Sequence, residues 1–355
     1  MTTHASPPPA IVSIAPLGMP WETLDPFLFC VHHDDAYPPG NGRYGPDAAL
    51  LKGRQIGSDF SGQGGWSMYH GQQVPGFPAH PHRGFETVTV VRQGRIDHSD
   101  SLGAGARFGG GDVQWLTAGR GIVHAEMFPL LHTDKPNPLE LFQIWLNLPA
   151  ERKMVAPHFT MFWSQDIARH SVVDDTGCAT EVVCIAGSLA VPGGVTRPLP
   201  PPPDSWASQP QSDLAIWTLR LDPGARWVLP PATGDGTRRK LYFFAGAHIT
   251  VDGKPVAVRH AVEVRAGAAV TLVNDGPEPA ELLMLQGRPI GEPVAQYGPF
   301  VMNTEQQLRQ AFDDYRRTQF GGWPWPDAAP VHGDEGGRFA RHADGRTERF
   351  PSQEG

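Results

Sequence analysis

Cysteine is scarce in this chain, with three in 355 residues, at positions 30, 178 and 184. No C-x-x-C spacing occurs and the count is odd, which speaks against a disulfide framework or a zinc knuckle and fits a reducing, cytoplasmic setting. Charge is thin as well: 19% of residues are charged, and the net charge is −8. That balance provides no strongly basic face, so direct contact with nucleic acid or an anionic membrane is not expected, while a protein partner stays open. Long apolar runs are also missing. The opening stretch MTTHASPPPAIVSIAP has neither the basic n-region nor the apolar run of a signal peptide or membrane span, and residues 1–20 are expected to form a flexible arm. Helical periodicity is confined to one segment.

What is abundant is punctuation. The 41 Gly and 37 Pro break the chain into short pieces and favour strands over long helices, so an all-β fold is expected. The length exceeds what one hydrophobic core usually serves, which implies two compact units. FETVTVVRQGRIDHSDS (85–101) reads as two strands about the turn Gln93-Gly94, followed by strands near 112–116 and 139–148. Glu86, Val88 and Val90 share the parity of His80 and His82 and are expected to point inward. On the 139–148 strand either the Gln143/Trp145/Asn147 face or the Phe142/Ile144/Leu146 face could line a pocket. The prolines of 196–213 cannot donate ladder hydrogen bonds and read as a linker or insertion. From 214 onward LAIWTLRL, KLYFFAG, HITVDG and AELLMLQG repeat a strand rhythm, implying a second barrel or sandwich. The helix spans 304–320: Thr304-x-x-Gln307 offers a capping box, and Leu308, Ala311, Phe312 and Tyr315 fall on one face. The expected organisation is therefore an arm (1–20), a first domain (21–195), the Pro-rich segment (196–213), a second domain with the helix (214–322) and a mobile tail (323–355).

The chemistry concentrates in HPHRGFE (80–86) and GRGIVHAE (119–126). Residues two apart on a strand share a face, so His80/His82 and His124/Glu126 are matched pairs that would make a metal site if brought together. Neutral imidazoles with one carboxylate suit a divalent first-row ion and leave coordination positions for a chelating substrate or oxygen. Glu86 shares the parity of His82 and is a second candidate carboxylate; spacing does not choose between it and Glu126. His98 reads as bonded to a turn, and the pair His32-His33 with Asp34-Asp35 as a solvated turn. Phe77, Phe85, Met127 and Phe128 flank the candidate ligands and could wall a pocket.

His80-x-His82-x3-Glu86, Gly94, Gly111-Asp112 and Gly119 with His124 resemble the two-part motif of the cupin superfamily, a jelly-roll β-barrel. HPHRGFETVT, RIDHSDSLGAG and GDVQWLTAGRGIVHAEM resemble the pirin family in particular, and the likeness resumes at LFQIWLNLP and LQGRPIGEPVAQYGPFVMNTEQQLRQAFDDY. The resemblance implies two tandem cupin barrels (a bicupin), the first holding one metal, most simply Fe(II), although Mn, Ni, Cu or Zn would suit the same donors, and the second holding none. Its ligands would be His80, His82, His124 and Glu126, with Glu86 behind them. The implied activity is that of a quercetin 2,3-dioxygenase acting on a flavonol, with Glu126 or Glu86 taking the substrate proton. The alternative it implies is a non-enzymatic, iron-dependent redox-sensing regulator working through a protein partner.

Overall fold

The structure, a computed structural model, describes residues 9–333 and 337–350. The fold is β throughout, with one α-helix among the described residues, α1 (Glu305–Thr318). No described helix is long and apolar enough to cross a membrane. The chain divides into two compact units, each built from non-contiguous pieces: Cys30–Gln165 with Glu292–Gly355, and Met1–Phe29 with Asp166–Gly291.

The first of these contains the histidine motif. Its strands are β1 (Phe27–Tyr37, largely within this unit), β2 (Gly76–His82), β3 (Phe85–Gln93), β4 (Ile96–Asp100), β5 (Gly105–Phe108), β6 (Val113–Thr117), β7 (Ile122–Met127), β8 (Asn137–Asn147) and β9 (His158–Phe162), with β10 (Arg338–Arg341) and β11 (Thr347–Phe350) from the end of the chain. They form a five-stranded sheet, β9-β6-β3-β8-β1, and a six-stranded sheet, β11-β10-β5-β4-β7-β2. Apolar side chains from both sheets, among them Val91, Ile96, Phe108, Leu116, Ile122 and Leu141, pack into one core. Alternation explains why: each strand presents every second residue inward.

Gly84 sets the relation between β2 and β3. Its φ is +86°, and a Cβ there would stand 1.9 Å from the Val301 carbonyl oxygen, so only glycine makes this corner. The corner breaks the alternation between the two strands. Thr89 Oγ1 reaches Glu126, so the odd-numbered face of β3 looks inward, and Glu86, Val88 and Val90 occupy the other face. This corrects the expected parity.

The helix starts as its sequence indicates. Thr304 Oγ1 accepts from the Gln307 amide at 3.2 Å, and the Gln307 side chain accepts in return from the Thr304 amide at 3.1 Å. Leu308 and Ala311 are buried against Phe300 and Met302, and Asp314 pairs with Arg83 at 2.8 Å. The helix thus belongs with the histidine-bearing unit, where the sequence assigned it to the second domain. Gly121, with φ +136°, lets the Phe320 ring approach within 2.6 Å of where its Cβ would be.

The ends of the chain also depart from expectation. The stretch expected to be a mobile tail supplies β10 and β11, pairing Phe339 with Arg107 and Ala340 with Ala106. It is anchored by buried polar groups: Arg107 grips Asp97 through two 2.7 Å hydrogen bonds, the His332 amide donates to the same carboxylate at 2.8 Å, and Arg338 pairs with Asp112. In the other unit, Ile11–Pro16 lies inside the expected arm yet pairs with His260–Arg265 at the edge of a seven-stranded sheet. Positions 1–8, 334–336 and 351–355 of the expected arm and tail lie outside the described residues.

That second unit stacks its seven-stranded sheet with a four-stranded one around a core that includes Val182, Trp217, Leu241, Phe243, Val262, Leu272 and Leu282. The Pro-rich 196–213 segment is internal to it. Trp206 Nε1 donates to the Arg288 carbonyl at 3.1 Å and the Arg288 amide donates to Ser212 O at 2.6 Å, so the segment is an insertion packed on its own unit. The units divide near 29, 165 and 291 instead.

Candidate metal centre

Strand register assembles the site. In the antiparallel pair β2/β7, His80 stands opposite His124, His82 opposite Ile122 and Phe77 opposite Glu126, with an irregularity between Phe77 and His80. Opposed residues in an antiparallel pair share a face. His80, His82 and His124 therefore converge, and their candidate ligand atoms all lie within 4.8 Å of one another. The ring centroids are 4.8 Å apart for His80/His82, 4.4 Å for His80/His124 and 4.8 Å for His82/His124.

Hydrogen bonding selects which nitrogens are free to ligate. His80 Nδ1 faces the Pro78 carbonyl at 2.8 Å and His82 Nδ1 faces the Pro299 carbonyl at 3.4 Å. A carbonyl can only accept, so each Nδ1 carries the proton and each Nε2 keeps its lone pair. His124 is fully buried, and neither of its ring nitrogens has a hydrogen-bond partner. Leaving two imidazole nitrogens unsatisfied in a core is costly, and a bound cation would satisfy one. Burial pushes the His80 imidazolium down to about 4 and those of His82 and His124 well below their ordinary range, with the neighbouring histidines adding to the effect. All three are neutral donors near pH 7, as metal ligation requires. The residues fit a divalent ion.

Glu126 stands beside this group, with Oε2 4.0 Å from His124 Nε2. The opposite sheet holds its carboxylate: Gln143 Nε2 donates to Oε2 at 3.0 Å, and Thr89 Oγ1 lies 3.0 Å from Oε1 and 2.6 Å from Gln143 Oε1. Burial pushes the Glu126 carboxyl up, opposed by these hydrogen bonds from Thr89 and Gln143. Glu86 is on the other face of β3, where it accepts from Thr117 Oγ1 at 2.7 Å. The structure thus brings Glu126 to the histidines and turns Glu86 away from them.

Of the expected wall, Phe85 is 5.0 Å from the His82 ring and Phe77 is 6.3 Å from that of His80; Phe128 packs on Phe77 at 6.0 Å. Met127 follows Glu126 on β7, so its side chain takes the opposite face. Trp145, from the Gln143/Trp145 face of β8, lies 5.4 Å from His82 and 4.2 Å from Phe85. That settles which face of β8 looks inward.

The Pirin family model matches residues 19–146, and the model of the Pirin C-terminal cupin domain matches residues 216–321. A Pseudomonas aeruginosa relative named for a proposed quercetin 2,3-dioxygenase activity is 35% identical over 244 residues, which is 68% of this chain and 79% of that protein. The chain belongs to the pirin family. Human pirin is 33% identical over 258 residues, 71% of this chain and 80% of its own. A solved quercetin 2,3-dioxygenase from Acinetobacter baumannii shares the fold at a TM-score of 0.65, with 24% identity over 88% of this chain and 98% of that one. Both halves of this pirin-family chain are thus cupin domains, and the histidine motif lies in the N-terminal one.

Two further buried residues near the centre were not anticipated. His98, expected to bond a turn, is fully buried, with its ring 5.6 Å from that of His124. Asp100 is buried beside it, 3.2 Å from His98 Nε2. His98-x-Asp100 has the same two-residue spacing as His124-x-Glu126, and that repetition was the available signal. The His32–Asp35 stretch likewise belongs to strand β1 rather than to a solvated turn. His33 Nδ1 and Asp35 Oδ2 each lie 2.8 Å from the Tyr69 hydroxyl.

Proposed function

We propose that this pirin-family bicupin is a metal-dependent dioxygenase of the quercetin 2,3-dioxygenase type, with a flavonol as substrate and Fe(II) held by His80, His82, His124 and Glu126. The observation that carries the reading is the convergence of three neutral imidazoles, two with Nδ1 committed to backbone carbonyls, on one point beside a carboxylate. The names of the Pseudomonas relative and the Acinetobacter neighbour support the substrate class.

When bound, the metal supplies Lewis acidity and redox access to dioxygen, with open positions for a chelating 3-hydroxyl and its neighbouring carbonyl. The chain does the rest. Glu126 is placed to take the 3-hydroxyl proton, and Gln143 and Thr89 hold its carboxylate in place. Phe77, Phe85 and Trp145 line the approach with apolar surface that would exclude competing water. Overall, the flavonol and dioxygen become a ring-opened ester and carbon monoxide.

The test is aerobic turnover of quercetin by iron-loaded protein. Bleaching of the flavonol, oxygen uptake and carbon monoxide release should run in step, and both a chelator and His80→Ala should abolish them. Fully loaded protein that yields no carbon monoxide from several flavonols would overturn the dioxygenase reading and leave the metal centre standing.

A further inference from the structure

Two buried imidazoles in the N-terminal cupin have unsatisfied nitrogens that complement each other. Among the described residues the buried histidine nitrogens without a hydrogen-bond partner are His124 Nδ1, His124 Nε2 and His98 Nδ1. Both residues are fully buried, and their rings are 5.6 Å apart. At that separation two imidazoles can share one N–H···N hydrogen bond after a small adjustment. Sheet register makes the approach systematic: on β4, Asp100 stands opposite His124 and His98 opposite Glu126. His80, His124 and Asp100 therefore form one row across three strands, on the face that carries the candidate ligands.

The protonation states follow from Asp100. Its Oδ1 accepts from the amides of Leu102 and Ala104 at 2.9 and 3.0 Å, which leaves Oδ2 for His98 Nε2 at 3.2 Å. A carboxylate accepts, so Nε2 of His98 carries the proton and Nδ1 presents a lone pair. His124, once its Nε2 is committed to a metal, has its proton on Nδ1 and needs an acceptor there. The two orphans are then a donor and an acceptor. Stacking on Phe159 at 5.2 Å holds the His98 ring, and His332 Nε2, 2.7 Å from the His98 carbonyl, secures its backbone.

We propose that Asp100 and His98 are positioning residues for the metal centre: Asp100 fixes the His98 tautomer, and His98 accepts the Nδ1 proton of His124, orienting that ligand and raising its basicity. The inference rests on the reading of His124 as a metal ligand. Ligating histidines generally depend on such a partner at their second nitrogen.

Asp100→Asn isolates the effect. Its side-chain oxygen can keep the Leu102 and Ala104 amides, so the amino group must face His98 Nε2. That nitrogen can then only accept, the proton moves to Nδ1, and two N–H groups confront each other. His98→Leu removes the partner, whereas His98→Gln restores an acceptor for His124 and a donor for Asp100. Co(II) affinity is measured on the full chain by chelator competition, with the electronic spectrum of the bound ion as a second readout and apo-protein melting as a control. Asp100→Asn and His98→Leu should each weaken Co(II) about 10- to 100-fold and alter its spectrum, while His98→Gln keeps both near the parent. Parent-like affinity in Asp100→Asn, or a His98→Gln as weak as His98→Leu, would overturn the proposal. A His124→Ala chain that still held the metal would instead overturn the site reading on which it rests.

Discussion

Replacing Arg338 with Met probes whether the end of the chain is part of the N-terminal cupin fold. The Arg338 side chain is 3% exposed and its partner Asp112 is fully buried. Removing the guanidinium strands a carboxylate in the core, a change that costs about 3–5 kcal/mol when a buried pair loses one member. Asp112 keeps the amides of Gly109 and Ser164, both at 2.9 Å, which places the expected cost toward the lower end, about 3 kcal/mol. A local opening favoured by that amount is about 100-fold more populated. Amide hydrogen exchange reads it directly: the ladder amides of Arg338–Arg341 and their β5 partners should exchange on the order of 100-fold faster in Arg338→Met. The effect should also depend on pH. Burial holds the Asp112 carboxyl above its ordinary 3.8 although Arg338 pulls it down, so loss of Arg338 raises it further. The folded chain then takes up this proton at a higher pH than the unfolded chain. The destabilisation is therefore largest above the folded-state pKa and shrinks as pH falls through it. Unchanged exchange in the variant, or parent amides at 338–341 that exchange as fast as free peptide, would refute the reasoning.

Two further outcomes are expected. Glu126→Gln should lower both metal affinity and flavonol turnover, whereas Glu86→Gln, on the far face of β3, should spare most of the metal; equal metal loss in both would mean that the carboxylate was wrongly chosen. The hydrogen bond from Arg83 pulls the Asp314 carboxyl down to about 2 from 3.8, so the ion pair adds stability that is complete above pH about 4 and is lost as pH falls towards 2. Acid titration followed by α1 unfolding should show that loss in the parent and a flatter curve in Asp314→Asn.

Much of this architecture can be read from local pattern. The Gln93-Gly94 turn, the alternation of IVHAEM and the capping box at Thr304 are determined by neighbours a few residues apart, and the structure has each of them. The pairing of His80 with His124 was inferable because two His-x-His/Glu pairs make chemical sense only together. The face of Glu86 is not legible from parity, because the positive φ of Gly84 breaks the alternation between the two strands. β10 and β11 are hidden in the sequence for a different reason. RFAR and TERF are short and charged, and they become strands only through partners such as Arg107, Asp97 and Asp112, far away in sequence. The inward direction of His98 comes from its register against Glu126, which its place near a strand end does not reveal.

The ordering of the sheets along the chain bears on how the protein is made. The unit containing Ile11–Pro16 has all its strands by residue 287, so it can close while the ribosome is still adding the rest. The histidine-bearing sheet, whose β2 and β7 are translated far earlier, has to wait for β10 and β11. Until residue 341 is made, β5 presents an open row of amides and carbonyls, the kind of edge that invites pairing with another nascent chain. A stall or premature stop after α1 would then leave the histidine-bearing sheet, rather than the other unit's sheets, exposed to misassembly.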